Sequence, residues 1–122
     1  MQPASLDEFL RFFFRPQGRL GRQGYSLGIL FILALDAAAV SMALDAATPA
    51  ILMPLIGLAI LPLLVGEFVL AAKRCHDLGL PGSFVVVLFV PILGLVCLFA
   101  LMLVPGNPAD NAYGPAPPRQ AD

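Results

Sequence analysis

The chain has no tryptophan, one histidine, two cysteines and few charges of either sign. Charged residues fill 12% of its 122 positions, about half the share in soluble domains, while 59% are hydrophobic. A single histidine with Cys75 and Cys97 gives neither a zinc pattern nor a disulfide framework. The formal net charge of −1 offers no general attraction for nucleic acid. The shortage of charge therefore predicts one small domain whose main solvent is lipid.

Three long apolar segments cover most of the chain, at residues 25–44, 51–72 and 84–104. Each has about 20 residues, the length of helix needed to cross a hydrocarbon core about 30 Å thick. Backbone polar groups must be paired internally in lipid, so these segments are predicted to be transmembrane helices. The predicted fold is an all-α membrane protein, with residues 1–122 forming a single membrane domain.

The two ends of the chain differ in character from the apolar segments. The stretch SLDEFLRFFF places Ser5 and Glu8 at the spacing of a capping box, followed by apolar residues at helical spacing. It predicts a short helix at residues 6–15 that lies in the membrane interface. Residues 105–122 are rich in proline, glycine and alanine and predict an irregular tail.

The basic residues predict how the chain is oriented in the membrane. The loop between the first two apolar segments, Asp45–Pro49, contains neither lysine nor arginine. Six of the seven basic residues flank the other ends of these segments: Arg11, Arg15, Arg19, Arg22, Lys73 and Arg74. The positive-inside rule then predicts a cytoplasmic N-terminus and, with three spans, an external C-terminus. A cleavable signal peptide is the alternative, but the basic region is too long for one.

The stretch KRCHDLGLPGS, residues 73–83, raises the question of a catalytic site. Gly79 followed by Pro81 is a typical stop signal, so the second helix is predicted to continue to Leu78. His76 and Asp77 then point about 100° apart on that helix and cannot form an orienting pair. The sequence predicts no catalytic residue, no metal site and no cofactor, and hence no enzyme.

Asp77 is instead predicted to have an architectural role. An anion is unfavourable at a helix C-terminus unless a cation pairs with it. Lys73 and Arg74 lie at the right helical spacing for such pairing. We also predict an ion pair with Arg19 or Arg22, which would tie the segment before the first span to the second helix.

Two ionisable residues lie inside the apolar segments. Asp36 is near the middle of the first, where a carboxylate costs about 2.5–3.5 kcal/mol and marks a functional site by default. The alternative is a neutral, hydrogen-bonded carboxyl group that faces a neighbouring helix, and the sequence does not decide between the two. Glu67 lies two helical turns before Arg74 on the same face, which predicts an ion pair between them.

Three separated motifs, GRLGRQGY, RCHDLGLPG and PGNPADNAYGPAP, resemble a bacterial inner-membrane family known as domain of unknown function 805. The matching positions, with the Pro-x-x-Gly turn of the last span, are Gly18, Arg19, Arg22, Tyr25, Arg74, His76, Asp77, Pro91, Gly94, Asn111, Tyr113, Gly114 and Pro115. The chain departs from the family pattern at Gly24 and Ser26, where glutamate and tryptophan are common.

The resemblance implies a small multi-pass protein of the bacterial inner membrane and supplies no activity. The leading functional hypothesis is a structural, lipid-contacting or interaction component whose partner is membrane lipid, a second copy or another membrane protein. The alternative is an oligomeric transporter or channel component that uses Asp36 and Glu67. Nucleic acid is not expected as a partner.

Overall fold

The computed structural model describes residues 5–117, and every regular element among them is helical. The α-helices are α1 (Leu6–Phe14), α2 (Arg22–Leu44), α3 (Met53–Asp77) and α4 (Pro91–Leu103). Two 3₁₀ helices, Ala50–Leu52 and Gly82–Phe89, precede α3 and α4. The all-α prediction is confirmed, and the tail is irregular as far as residue 117. The rest of the predicted tail lies outside the described residues.

Helices α2 and α3 pack against each other and form the frame of the molecule. Both are long and apolar enough to cross a membrane. Within an apolar 18-residue stretch of each, only 17% and 28% of the residues, respectively, are buried within the protein. A core helix of a soluble protein would be mostly buried. The exposed faces of α2 and α3 are therefore compatible with a membrane protein.

Helix α1 begins at Leu6 as its sequence predicts, ends at Phe14, one residue before the predicted end, and packs against α3. Ser5 and Glu8 form both hydrogen bonds of the capping box, at 3.2 and 3.0 Å. Phe13 is buried, and its ring contacts the ring of Phe31 on α2 with centroids 5.9 Å apart. The Lys73 Nζ atom donates to the carbonyls of Arg11 and Phe12, at 3.0 and 2.6 Å. These bonds satisfy the open end of α1 and fix it to α3.

The third apolar segment is divided between two elements, so residues 84–104 do not form the single continuous helix that was predicted. It forms a hairpin made of the 3₁₀ helix and α4, here called the half-depth hairpin (residues 82–103). The hairpin starts beside the end of α3, since a Cβ atom on Gly82 would lie 3.2 Å from His76 Nε2. It also finishes there, because the Arg74 side chain donates to the carbonyls of Leu101 and Val104.

The tip of the half-depth hairpin lies beside the middle of α3. The Phe89 ring stacks on the Phe68 ring with centroids 4.8 Å apart. Phe68 is nine residues before Asp77, which is about 14 Å along the helix at about 1.5 Å per residue. A hydrocarbon core is about 30 Å thick, so the hairpin has roughly half the length needed to cross it.

The Pro-x-x-Gly motif explains why the chain turns at this point. Pro91 cannot continue a helix from Val90, which is extended at φ −82° and ψ 116°, but it is well suited to begin one. Gly94 follows where the two arms approach closely, since a Cβ atom there would lie only 2.5 Å from the Leu88 carbonyl oxygen. The proline that predicted a bend within one helix therefore separates two shorter helices.

Candidate functional site

The ionisable residues of the sequence motifs meet at one end of the α2–α3 frame. Helix α3 stops as predicted, with Leu78 as its C-cap and Gly79 at φ +78°, a conformation that glycine adopts without strain. The residues that gather around this helix end, here called the polar cluster, are Arg19, Arg74, His76, Asp77, Asn107, Asn111, Tyr113 and Gly114.

Asp77 is at the centre of the polar cluster and is only 3% exposed. Its Oδ1 atom pairs with the Arg19 guanidinium at 3.1 Å, and its Oδ2 atom pairs with the Arg74 guanidinium. Both predicted partnerships are confirmed: one with Arg74, and one with an arginine of the segment between α1 and α2, here called the leader (residues 15–21). Two arginines on one buried carboxylate provide the compensation that a charge needs when it is removed from water.

Arg74 is fully buried and joins three parts of the chain. Its Nε atom donates to the carbonyl of Leu101 at 2.8 Å, and Nη2 donates to the carbonyl of Val104. These carbonyls belong to the last turn and the C-cap of α4, where no helical N–H can reach them. Nη1 also donates to the carbonyl of Leu20, at 3.4 Å. One side chain therefore holds the leader and the end of the half-depth hairpin against α3.

Arg19 organises the tail, which wraps around its guanidinium. The Nη1 atom donates to the carbonyls of Ala109 and Gly114, at 2.8 and 3.2 Å, and Nη2 donates to the carbonyl of Asn107. The tail approaches the Asp77 side chain closely at Gly106, where an added Cβ atom would overlap Asp77 Oδ2. A side chain at position 106 is therefore incompatible with the Asp77 ion pairs.

His76 points away from Asp77 and contacts the leader and the tail. Its Nδ1 atom is 2.8 Å from the Gly18 carbonyl oxygen, and because that oxygen only accepts, Nδ1 carries the proton. Its ring is nearly parallel to the Tyr113 ring, with centroids 4.1 Å apart. Asn111 Nδ2 donates to the His76 carbonyl at 2.9 Å. No orienting contact joins His76 to Asp77 within residues 5–117, so a catalytic dyad is not formed there.

The remaining predicted residues fall into three places. Arg22 and Tyr25 both bind α4. The Arg22 Nη1 atom donates to the Leu103 carbonyl at 3.3 Å, and the Tyr25 hydroxyl donates to the Leu98 carbonyl at 2.6 Å. Pro91 and Gly94 shape the tip of the half-depth hairpin. Pro115 follows the turn in which Asn111 and Gly114 exchange backbone hydrogen bonds.

Asp36 and Glu67 meet each other across the α2–α3 interface. The Glu67 carboxyl group lies near the Asp36 carboxyl group. Asp36 Oδ1 is buried and has no hydrogen-bond partner in the described part of the chain. The predicted ion pair between Glu67 and Arg74 is wrong, because Arg74 binds Asp77 and backbone carbonyls instead. Asp36 therefore faces α3 rather than lipid, where a carboxylate would be energetically unfavourable.

Comparison with protein families finds one family that matches most of the chain. A family described as protein of unknown function (DUF805) matches residues 13–115, from the end of α1 to the tail. The chain belongs to the DUF805 family. No curated protein and no solved structure matches it. In this DUF805 protein the leader, loop and tail motifs are distant in sequence but adjacent in space, and they build the polar cluster together.

Sequence reasoning did not identify two contributors to this arrangement. Lys73 was expected at the helix end as a partner of Asp77, but it caps α1. The tail carbonyls that surround Arg19 were not anticipated, because any residue type supplies a carbonyl. One available signal was Gly106, three residues after the end of α4, since a glycine there is compatible with a close approach of two chain segments.

Proposed function

We propose that this DUF805 protein is an integral component of the bacterial inner membrane with a structural, lipid-contacting or interaction role. The observation that carries the proposal is that the charges of the polar cluster are bonded within the chain. Asp77 pairs with both Arg19 and Arg74, and the two arginines donate to backbone carbonyls of the leader, the end of α4 and the tail. Groups engaged in this way support architecture better than they support substrate chemistry.

The proposed arrangement has two membrane-spanning helices, α2 and α3, and a half-depth hairpin in the cytoplasmic half of the bilayer. The positive-inside rule places the leader and the Lys73–Ser83 loop in the cytoplasm. The polar cluster then lies at the cytoplasmic interface with the tail folded over it. Helix α1, with Leu6 and Phe9 exposed on its surface, contributes apolar area for lipid.

Membrane extraction tests this proposal. We expect the protein to remain in the membrane pellet after treatment with alkaline carbonate, because detaching it would expose the apolar faces of two long helices to water. Extraction with detergent should release it, and native mass spectrometry of the released protein should report lipid, a second copy or a membrane-protein partner. Release by carbonate alone would contradict the proposal.

A second candidate function is supported by the contact between Asp36 and Glu67. Two neighbouring carboxyl groups can share a proton, and the buried Oδ1 atom of Asp36 has capacity to accept another bond. This candidate is a proton-conducting component. The interior of two spans and a half-depth hairpin is too small for a pathway, so it requires an oligomer.

Proton flux in reconstituted liposomes distinguishes the second candidate from the first. If the pair conducts, Asp36→Asn and Glu67→Gln should each reduce the flux to that of protein-free liposomes. Asp45→Asn at the far end of α2 is the matched control and should leave the flux unchanged. Equal flux in the wild type and Asp36→Asn would exclude this role for the pair.

A further inference from the structure

The buried residues of the two long helices are concentrated at the end that carries the polar cluster. In α2 they lie between Tyr25 and Ile32, and no residue from 33 to 44 is buried. In α3, nine of the ten buried residues lie at Gly66 or later, and the tenth is Ile56. The α2–α3 frame is therefore packed against other elements over about half of its length, here called the enclosed half (residues 22–32 and 66–77). The open half (residues 33–44 and 53–65) is exposed.

The half-depth hairpin provides much of this enclosure. Its tip, at Phe89, stacks on Phe68, and its far end is held by Arg74. The eight residues of its 3₁₀ helix measure about 16 Å at about 2 Å per residue, which matches the length of the enclosed half of α3. A helix with its side chains is about 10 Å across. The two arms of the hairpin therefore roughly double the cross-section of the frame in this half.

Helix α1 widens the same half of the frame. A Cβ atom on Gly28 would lie 3.0 Å from the Phe12 ring, and one on Gly66 would lie 3.9 Å from the Phe13 carbonyl oxygen. The charged residues of this helix are exposed: Asp7, Glu8 and Arg11. Charged groups are costly in the hydrocarbon core, so α1 lies across the interface in the proposed arrangement.

We propose that the protein is a wedge in the bilayer and that the partner it fits is a lipid surface convex on the side of the leader. This inference rests on the proposed membrane location. In the described part of the chain, the leaflet on the leader side holds α1, both arms of the hairpin and the frame, whereas the other leaflet holds the frame alone. On the convex side of a curved bilayer the head groups are spread apart, so additional protein cross-section fits there. Interfacial helices are sensitive to curvature for the same reason.

Membrane tubes drawn outwards from giant vesicles test the inference. The purified full chain would carry a dye at its N-terminus, and a membrane-impermeant quencher would distinguish molecules whose leader faces outwards from inverted ones. Molecules with the leader outwards should be enriched about twofold on the tube relative to the parent vesicle, a difference of about 0.4 kcal/mol. Inverted molecules should be depleted there. Equal density on tube and vesicle in both orientations, or enrichment of the inverted molecules, would overturn the inference.

A matched pair of variants locates the effect in the enclosed half. Leu6→Ser with Leu10→Ser makes the lipid-facing side of α1 polar and should reduce the enrichment. Leu44→Ser with Ile51→Ser makes the same change at the open end of the frame and should retain it. All four leucine and isoleucine side chains are exposed, and thermal unfolding near that of the wild type would show that the fold is kept. Wild-type enrichment in the α1 variant, or equal loss in both variants, would overturn the inference. The membrane proposal is tested separately, by carbonate extraction.

Discussion

Asp77→Asn is expected to lower the free energy of unfolding in detergent micelles by about 3 kcal/mol. The change removes one partner from a buried ion-pair network and leaves Arg19 and Arg74 with charges that the cluster no longer compensates. Breaking a buried pair in this way typically costs about 3–5 kcal/mol. His76→Gln should cost much less, about 1 kcal/mol, because it removes one hydrogen bond and one ring contact.

The control for this prediction is an ion pair of the same type in an exposed position. Asp7 and Arg11 pair at 2.8 Å with side chains that are 67% and 62% exposed. Asp7→Asn should therefore change stability by less than about 1 kcal/mol. A double-mutant cycle of Asp77→Asn with Arg19→Gln should show a coupling above about 0.5 kcal/mol. If His76→Gln abolishes a measurable activity while Asp77→Asn leaves folding intact, the architectural account is wrong.

A fluorescent protein fused to the C-terminus is expected to be bright, and alkaline phosphatase fused there is expected to be inactive. The half-depth hairpin returns to the end of α3 from which it started, so the tail lies on the side of the leader. With the leader in the cytoplasm, as we propose from the positive-inside rule, the C-terminus is expected to be cytoplasmic as well. The three-span reading of the sequence predicts the opposite pattern.

A fusion in the loop between the two spans provides the control for these reporters. Alkaline phosphatase placed after Thr48 should be active, because Thr48 lies at the far end of α2 from the polar cluster. Activity at both Thr48 and the C-terminus would mean that the third apolar segment crosses the membrane. Activity at the C-terminus alone would mean that the frame is inverted.

Features that depend on local chemistry could be predicted from the sequence alone. The capping box of Ser5 and Glu8, the stop at Gly79 and the divergence of His76 from Asp77 follow from helix geometry, and the structure shows all three. An ion pair of Asp77 with Arg19 or Arg22 was also predictable, because excess positive charge at one interface requires an anion, and the structure shows that the partner is Arg19.

The half-depth hairpin was not predictable from apolar length. Residues 84–104 are long enough to cross a bilayer, and hydropathy does not distinguish one long helix from two short ones. The decisive residues are Pro91 and Gly94, whose effect depends on how closely the arms pack. The role of Arg74 depends on carbonyl groups about 30 residues away, and carbonyls have no sequence signature.

The most direct test of the shared location of leader and tail is a disulfide between positions 21 and 117. A Cβ atom on Gly21 would lie 3.6 Å from the Pro117 Cβ atom, within the range of about 3.5–4.5 Å for cystines. The pair Gly21→Cys and Pro117→Cys would be made with Cys75→Ala and Cys97→Ala, and oxidised in native membranes. The control pair is Gly21→Cys with Thr48→Cys, at opposite ends of α2. We expect a cross-link in the first pair and none in the control, whereas no cross-link in either pair would contradict the account.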